Sequence, residues 1–279
     1  MAQNVCFCRI WGVLVTAISL PWSDGARLPT GVLRRPSCHV RPDLSGLEAT
    51  IAQQSRSLDQ LIRSAGHHNH ERLLDVACGI GTQALGIAQL GYDTVAADLS
   101  SVAAQRARTE AQARGVPLRV VAADMRSLPF PAITFDIVVC ADNALPHLLN
   151  STDVIDACEE MLRVLRPGGL LLLTVRDYDA LRRTRPCSTR PQTHNSASRR
   201  MVTFQLWDWT DDGEHYDLEL FQLASHGEQW ITTARRTRYW AMTRDQITEF
   251  AHTAGFESLA CHVPEQTGFF QPVLTGRRP

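Results

Sequence analysis

From Leu44 onward the apolar positions fall into two alternating rhythms. Leu47, Ile51, Leu58, Leu61 and Ile62 lie near one face of a 3.6-residue repeat that stops before Gly66, which predicts a helix. Short apolar runs and helical stretches then take turns. LLDVA (73–77) reads as a strand and TQALGIAQL as a helix closed by Gly91; YDTVAAD is a second strand, followed by a helix from Ser100 or Ser101 to Gly115. LRVVAAD and FDIVVCA make a third and a fourth strand. A further helix starts near Ser151 or Thr152, either a suitable N-cap, and buries Val154, Cys158, Met161, Leu162 and Leu165 before Pro167, Gly168 and Gly169 end it. GLLLLTV is apolar throughout, as a strand covered on both faces must be. Strands alternating with helices predict an α/β fold with a parallel, doubly wound sheet.

After Asp179 the pattern changes. Residues 181–200 hold six Arg, no acid and many Ser, Thr and Pro, the composition of a basic, mobile loop. Residues 201–240 read as an antiparallel insertion: VTFQLWDW, a D-D-G turn, YDLELFQLA, a G-E turn and QWITTARRTRYW. Thr243 then caps a helix with Ile247, Phe250, Ala251 and Ala254 on one side, and FESLACHV and FFQPVLT supply two final strands. Residues 1–43 form an irregular extension, expected to be poorly ordered. Its apolar run Ile10–Leu20 has only Arg9 upstream and no clean A-x-A site after it, which argues against a secretory signal.

Composition narrows the function classes. The chain has 279 residues, 44% of them hydrophobic, enough for one large domain with a buried core. Its 28 basic side chains, all Arg, balance 29 acidic ones, so it lacks the surplus of a nucleic-acid binder. No apolar run approaches the roughly 18–20 residues that span a bilayer. Eight cysteines occur without a C-x₂-C pair, and His67, His68 and His70 share a polar turn, so free thiols in the cytoplasm and no metal site are expected.

The chemistry concentrates in LLDVACGIGTQALGIA (73–88). A strand ends at Asp75, and Ala77, Cys78, Gly79, Ile80, Gly81 and Thr82 turn tightly into a helix whose first N–H groups are free. Gly79-x-Gly81-x-x-Ala84 alone would also pass for a dinucleotide fingerprint. The neighbouring acids favour another ligand. Asp75 would oppose a pyrophosphate and welcome an amino group; Asp98, 23 positions on, can take both ribose hydroxyls; Asp124 can meet an adenine amino group. Three strand-end carboxylates suit a cationic nucleoside without phosphates, such as S-adenosylmethionine.

On these residues, with AADMRSLPF, FDIVVCADNALPHL and VLRPGGLLLLTV, the chain resembles the class I S-adenosylmethionine-dependent methyltransferases from about Leu44 to Arg278. The resemblance implies a seven-stranded sheet whose last strand is antiparallel, and S-adenosyl-L-methionine as cofactor. By carry-over, Asp75, Ala77, Cys78, Gly79, Gly81 and Thr82 surround the methionyl part, Asp98 and Leu99 the ribose, Asp124 and Met125 the adenine, with Asp142 close by. Within the class the chain is most similar to the glycine and sarcosine N-methyltransferases. DNALPHL (142–148) and RDYD (176–179) carry that likeness. It implies a small-molecule methyl acceptor clamped by Arg176, with Asn143, His147 and Tyr178 beside it, and His147, Asp142 and Tyr178 as candidates for proton transfer. A salt bridge from Arg176 to Asp177 or Asp179 is the competing reading. The position where an Arg usually grips the cofactor carboxylate is Gln53 here, with Arg56 nearby, and residues 1–43 contain no Tyr of the kind that covers the subfamily's pocket. Trp207, Trp209, Trp230, Trp240, Tyr216 and Tyr239 fall in the insertion; they either line an acceptor pocket for a cation or pack across strands. N-methylation of a small amino acid, O- or N-methylation of a larger natural product, a non-catalytic cofactor binder and an NAD-dependent oxidoreductase all remain open on sequence.

Overall fold

The two rhythms resolve into two sheets. The computed structural model describes residues 44–196 and 199–279, so the expected extension at 1–43 lies outside the described residues. α1 (Leu44–Ser64) leads to β1 (Arg72–Asp75), α2 (Thr82–Gln89), β2 (Asp93–Asp98), α3 (Ser101–Arg114), β3 (Arg119–Ala122), β4 (Phe135–Cys140), α4 (Ser151–Val164) and β5 (Leu165–Thr174). After α5 (Tyr178–Thr184) come β6 (Gln192–Ser196), β7 (Arg199–Trp209), β8 (His215–His226) and β9 (Gln229–Trp240). The chain closes with α6 (Arg244–Thr253), β10 (Glu257–His262), α7 (Pro264–Thr267) and β11 (Val273–Arg277).

The main sheet has the order β10-β11-β5-β4-β1-β2-β3. β1 to β5 are mutually parallel, and β11 runs antiparallel to β5, as the family resemblance implied. The chain steps outward from β1 to β3 and then returns to the other side of β1 for β4. The crevice between the carboxyl ends of β1 and β4 is therefore a topological switch point, where open α/β sheets bind ligands. Side-chain alternation divides the core between the two faces. Leu171 and Leu173 pack with Met161, Val164 and Ile247 on one side, while Leu170 and Leu172 pack with Leu58 and Ile62 on the other.

Local chemistry sets most boundaries. Gly115 ends α3 in the left-handed region at φ 64°, and Thr243 forms a capping box with Gln246 at the start of α6. Other boundaries differ from the pattern reading. The cap of α4 is Asn150, one residue before Ser151, and its side chain accepts from Asp153 N at 2.9 Å. Leu165 is already extended, so Pro167, Gly168 and Gly169 lie within the span of β5 and do not close the helix. Residues 269–272 precede β11 and are not part of it.

The second sheet, β6-β7-β8-β9, is antiparallel and larger than the 201–240 insertion expected. The basic-loop reading of 181–200 is corrected at both ends. Residues up to Thr184 finish α5, and β6 pairs with β7 from Gln192 opposite Thr203 to Ser196 opposite Arg199. A ladder of backbone hydrogen bonds, which composition does not report, holds this polar stretch extended.

Gly86 lets α1 and α2 meet. A Cβ there would stand 2.6 Å from Ser55 Cβ and 2.9 Å from the Ile51 carbonyl oxygen. Gly86→Ala is expected to lower stability by about 1–3 kcal/mol despite alanine's better helix propensity. Urea unfolding checks this; a neutral or stabilising change would show that the helices are not pressed together.

Candidate active site

Five charged residues stand at or just past the carboxyl ends of five adjacent strands. In sheet order they are Arg176 after β5, Asp142 after β4, Asp75 closing β1, Asp98 closing β2 and Asp124 after β3. One end of the row is cationic and the rest is acidic.

The glycine turn occupies the middle. Gly79 and Gly81 have φ of 54° and 95°, conformations open to glycine and strained for other residues. A Cβ on Gly81 would also press to 3.2 Å from Ala107 Cβ. Asp75 is buried; its Oδ1 accepts only the Ala77 N–H in the turn, at 3.2 Å. Burial pushes its carboxyl up to about 7, helped by Asp98 and Asp142 and opposed by the Ala77 bond. Asp98 joins the turn to the second strand: Oδ2 accepts from Gly79 N at 2.7 Å and Oδ1 from Ser100 N at 2.8 Å. Burial raises its pKa against those two bonds. Leu99 beside it is exposed, and Met125 is half-buried against the core.

Asp124, expected at the adenine, is already engaged. Arg126 Nη2 donates to its Oδ2 at 2.7 Å and holds the carboxyl below its ordinary range. Gln53 is exposed and Arg56 turns back to the Ala52 carbonyl at 2.9 Å. The buried residue of this helix turn is Gln54, whose Oε1 accepts from Gln83 Nε2 at 2.7 Å. Its Nε2 and the Thr82 Oγ1 are buried without hydrogen-bond partners among the described residues. The helical period could have found Gln54, since Ile51, Gln54 and Leu58 share the buried face and Gln53 does not.

Arg176 is buried, and neither expected acid neutralises it. Asp179 pairs with Arg244 at 2.7 Å, and Asp177 caps α5. The Arg176 guanidinium instead lies 4.9 Å from the Trp207 ring and 5.4 Å from the Tyr239 ring, and its Nη1 donates to Tyr216 Oη at 2.8 Å. Tyr178 and Tyr216 share a hydroxyl bond of 3.0 Å, and Trp207 stacks on Tyr216 at 4.7 Å. The aromatic faces of the insertion thus pack across strands and surround the chain's own cation. Asn143 Oδ1 accepts the Arg176 backbone N–H at 3.1 Å.

His147 lies against Tyr239, with ring centres 4.4 Å apart. Burial and the Arg176 charge lower its pKa to about 4. Burial drives Tyr178 well above the ordinary phenol range. Asp142 is pushed up to about 7 by burial, while Arg176 and a bond from Gln271 pull the other way. Of the three candidates for proton transfer, Asp142 alone titrates near neutrality. Asp75 and Asp142 lie at the switch point. Residues unexpected from sequence are Gln54, Gln83, Thr174 and Gln271.

Comparisons with known proteins bear on the domain and the fold. Residues 73–169 match the family described as "Methyltransferase domain". The glycine/sarcosine N-methyltransferase of Parasynechococcus marenigrum is 36% identical over 124 residues, 44% of this chain and 44% of that protein. The enzyme of the same name from Halorhodospira halochloris is 32% identical, over 44% of this chain and 46% of its own. The chain thus matches less than half the length of these relatives. A solved S-adenosylmethionine-bound amino pentose methyltransferase from Micromonospora echinaspora superposes with a TM-score of 0.68 at 20% identity, covering 88% of this chain and all of the other. A sugar N-methyltransferase from Streptoalloteichus gives 0.68 at 17%, covering 91% of this chain and 99% of that one.

The ligand-free protein should show the strain of its buried acids. Asp75 has a raised folded pKa, so between about pH 4 and 7 the folded state holds a proton that the unfolded state has lost. Its contribution to stability falls as pH rises through that window. His147, with a lowered folded pKa, works in the opposite sense between about pH 4 and its ordinary value near 6.5. The difference between variants separates the two. Asp75→Asn should gain Tm over wild type as pH goes from 5 to 8; a constant gap between the melting curves would show that Asp75 does not titrate there. Residues 73–169 carry a methyltransferase domain, and the chain around them has the class I S-adenosylmethionine-dependent methyltransferase fold.

Proposed function

We propose that the protein N-methylates a small amine that bears a carboxylate, with S-adenosylmethionine as methyl donor. The observation that carries this reading is the Arg176 guanidinium, buried between Trp207, Tyr216 and Tyr239 one strand away from the Asp75–Asp142 crevice. The names of the curated relatives that match residues around the glycine turn support it.

The residues present fit the cofactor. Gln54 Nε2 and Thr82 Oγ1 are buried polar atoms without partners among the described residues, suited to its carboxylate. Asp75 suits its amino group, Asp98 its ribose, and Asp124 with Met125 and Leu99 its adenine. When bound, it supplies a methyl group already activated by a sulfonium. The chain then has to orient a neutral nucleophile and exclude water, and orientation is worth up to roughly 7–11 kcal/mol. Arg176 binds the acceptor carboxylate by a charge-assisted bidentate contact, strengthened by its dry aromatic surroundings. Asn143 fixes the acceptor beside it. Asp142, titrating at about 7, takes the proton that the acceptor nitrogen sheds. His147 stays neutral and braces Tyr239, and Tyr178 holds Tyr216 in place.

Two substitutions test the reading. Asp98→Ala should weaken binding of S-adenosylhomocysteine at least about a hundredfold by calorimetry, since it removes the ribose acceptor and a support of the Gly79 turn. Retained affinity would remove the cofactor site from this crevice. Arg176→Ala should abolish labelled-methyl transfer to glycine, sarcosine or dimethylglycine while sparing amines that lack a carboxylate. Equal loss on both classes, or activity confined to bulkier amines and hydroxyls in the wild type, would favour a larger natural product as acceptor.

A further inference from the structure

Asp142 and Asn143 are two consecutive non-glycine residues in the left-handed region, at φ 57° and 66°. Each such residue is strained and persists only where its surroundings impose it. The restraint comes from two residues remote in sequence. Thr174, at the end of β5, accepts the Asp142 N–H on its hydroxyl at 2.8 Å and the Asn143 N–H on its carbonyl at 3.1 Å. That hydroxyl donates in turn to Gln271 Oε1 at 2.9 Å, and Gln271 Nε2 returns to Asp142 Oδ1 at 3.4 Å. The three side chains close a ring. Thr174 and Gln271 are 1% and 3% exposed, so water does not compete for it.

The ring also divides each strained side chain into a used atom and a spare one. Asp142 gives Oδ1 to Gln271, and Asn143 gives Oδ1 to the Arg176 backbone. Asp142 Oδ2 is buried without a hydrogen-bond partner among the described residues; Asn143 Nδ2 is buried too and faces only the Tyr178 hydroxyl, outside full hydrogen-bond geometry. An acceptor and a donor thus stand spare on neighbouring residues, the pair needed by an amine and a carboxylate held together.

We propose that Gln271 is a positioning residue for the methyl acceptor, which with Thr174 locks the Asp142–Asn143 turn so that Asp142 Oδ2 and Asn143 Nδ2 are presented together to the amino and carboxylate groups of one small molecule. This rests on the acceptor class proposed above. Gln271 also sets how readily Asp142 ionises, because its N–H stabilises the carboxylate. The other groups acting with Asp142 are Asp75 from β1, Arg176 beyond β5 and Tyr239 of β9.

The test is calorimetric titration of glycine into protein saturated with S-adenosylhomocysteine, repeated from pH 6 to 9. Gln271→Met keeps the volume but loses the two hydrogen bonds that Gln271 makes in the ring. It should weaken glycine at least about tenfold and move the pH midpoint of its binding upward, with S-adenosylhomocysteine affinity changed less than about threefold. Thr174→Ser, which keeps the hydroxyl, should bind glycine as wild type does, and Thr174→Val should match Gln271→Met. Gln271→Glu should approach wild type at pH 6, where the pair shares a proton, and fail at pH 9, where two carboxylates repel. Wild-type affinity and an unmoved midpoint in Gln271→Met would overturn the positioning role. Loss of S-adenosylhomocysteine binding in step with glycine would overturn it too, showing only local collapse. If wild-type protein binds S-adenosylhomocysteine but not glycine, the acceptor class fails and this proposal falls with it.

Discussion

A carboxylate removed from water needs a proton or a cation, and this fold buries two of them side by side. Asp75 and Asp142 end neighbouring strands at the point where the chain reverses its direction of travel across the sheet. Each is pushed to about 7 chiefly by burial, and the Asp142 charge adds to the difficulty of ionising Asp75. Left to itself the pair works against stability. A ligand that brings an amino group and a sulfonium would relieve the conflict. The glycine turn serves the same end, because its Ala77 N–H holds Asp75 and its Gly79 N–H holds Asp98.

The other end of the row solves the inverse problem. Arg176 keeps its charge in a buried place because aromatic faces and the Tyr216 hydroxyl replace part of its hydration. A desolvated guanidinium of this kind attracts a compact anion far more strongly than a solvated one would. The second sheet supplies these walls, and on the reading proposed above it adds the acceptor end of the site. Polarity then reverses over the width of one strand, from Arg176 to Asp142. A zwitterionic amino acid, the acceptor proposed above, would match that reversal better than a neutral sugar amine.

Much of this was legible in the sequence where the determinants are local. Strand-end acids and the glycine turn depend on neighbours within a few residues, so Asp75, Asp98 and Asp124 could be put at strand ends from the pattern alone, whereas Asp142 came only through the family resemblance. Contacts made by register were not legible. Trp207, Tyr216 and Tyr239 surround Arg176 only because β7 pairs Trp209 with Tyr216, and β8 pairs Tyr216 with Tyr239. A one-residue slip would turn those rings to the other face. The polar stretch of β6 was misread for the same reason, since its order comes from its partner strand. Gln54 is buried where Gln53 is exposed, a single step of helical phase, and Gln271 reaches Asp142 across 129 positions of chain.

The same geometry decides between two ligands that the glycine pattern alone cannot separate. A dinucleotide would set its pyrophosphate on the backbone N–H groups at the start of α2. Here the Gly79 N–H, a donor such a phosphate would require, already serves Asp98 Oδ2 at 2.7 Å. Below it lies Asp75, and a phosphate brought there would face an unpaired carboxylate with no Lys or Arg in the turn to offset the repulsion. Shifting the turn away would break the Cys78 N–H bond to the Ala97 carbonyl, which ties it to the second strand. A phosphate-free adenosine would avoid each of these conflicts, its ribose sharing Asp98 with Gly79 and its charge answering Asp75 as proposed above. The turn that looks permissive in sequence is therefore made exclusive by the two acids that hold it.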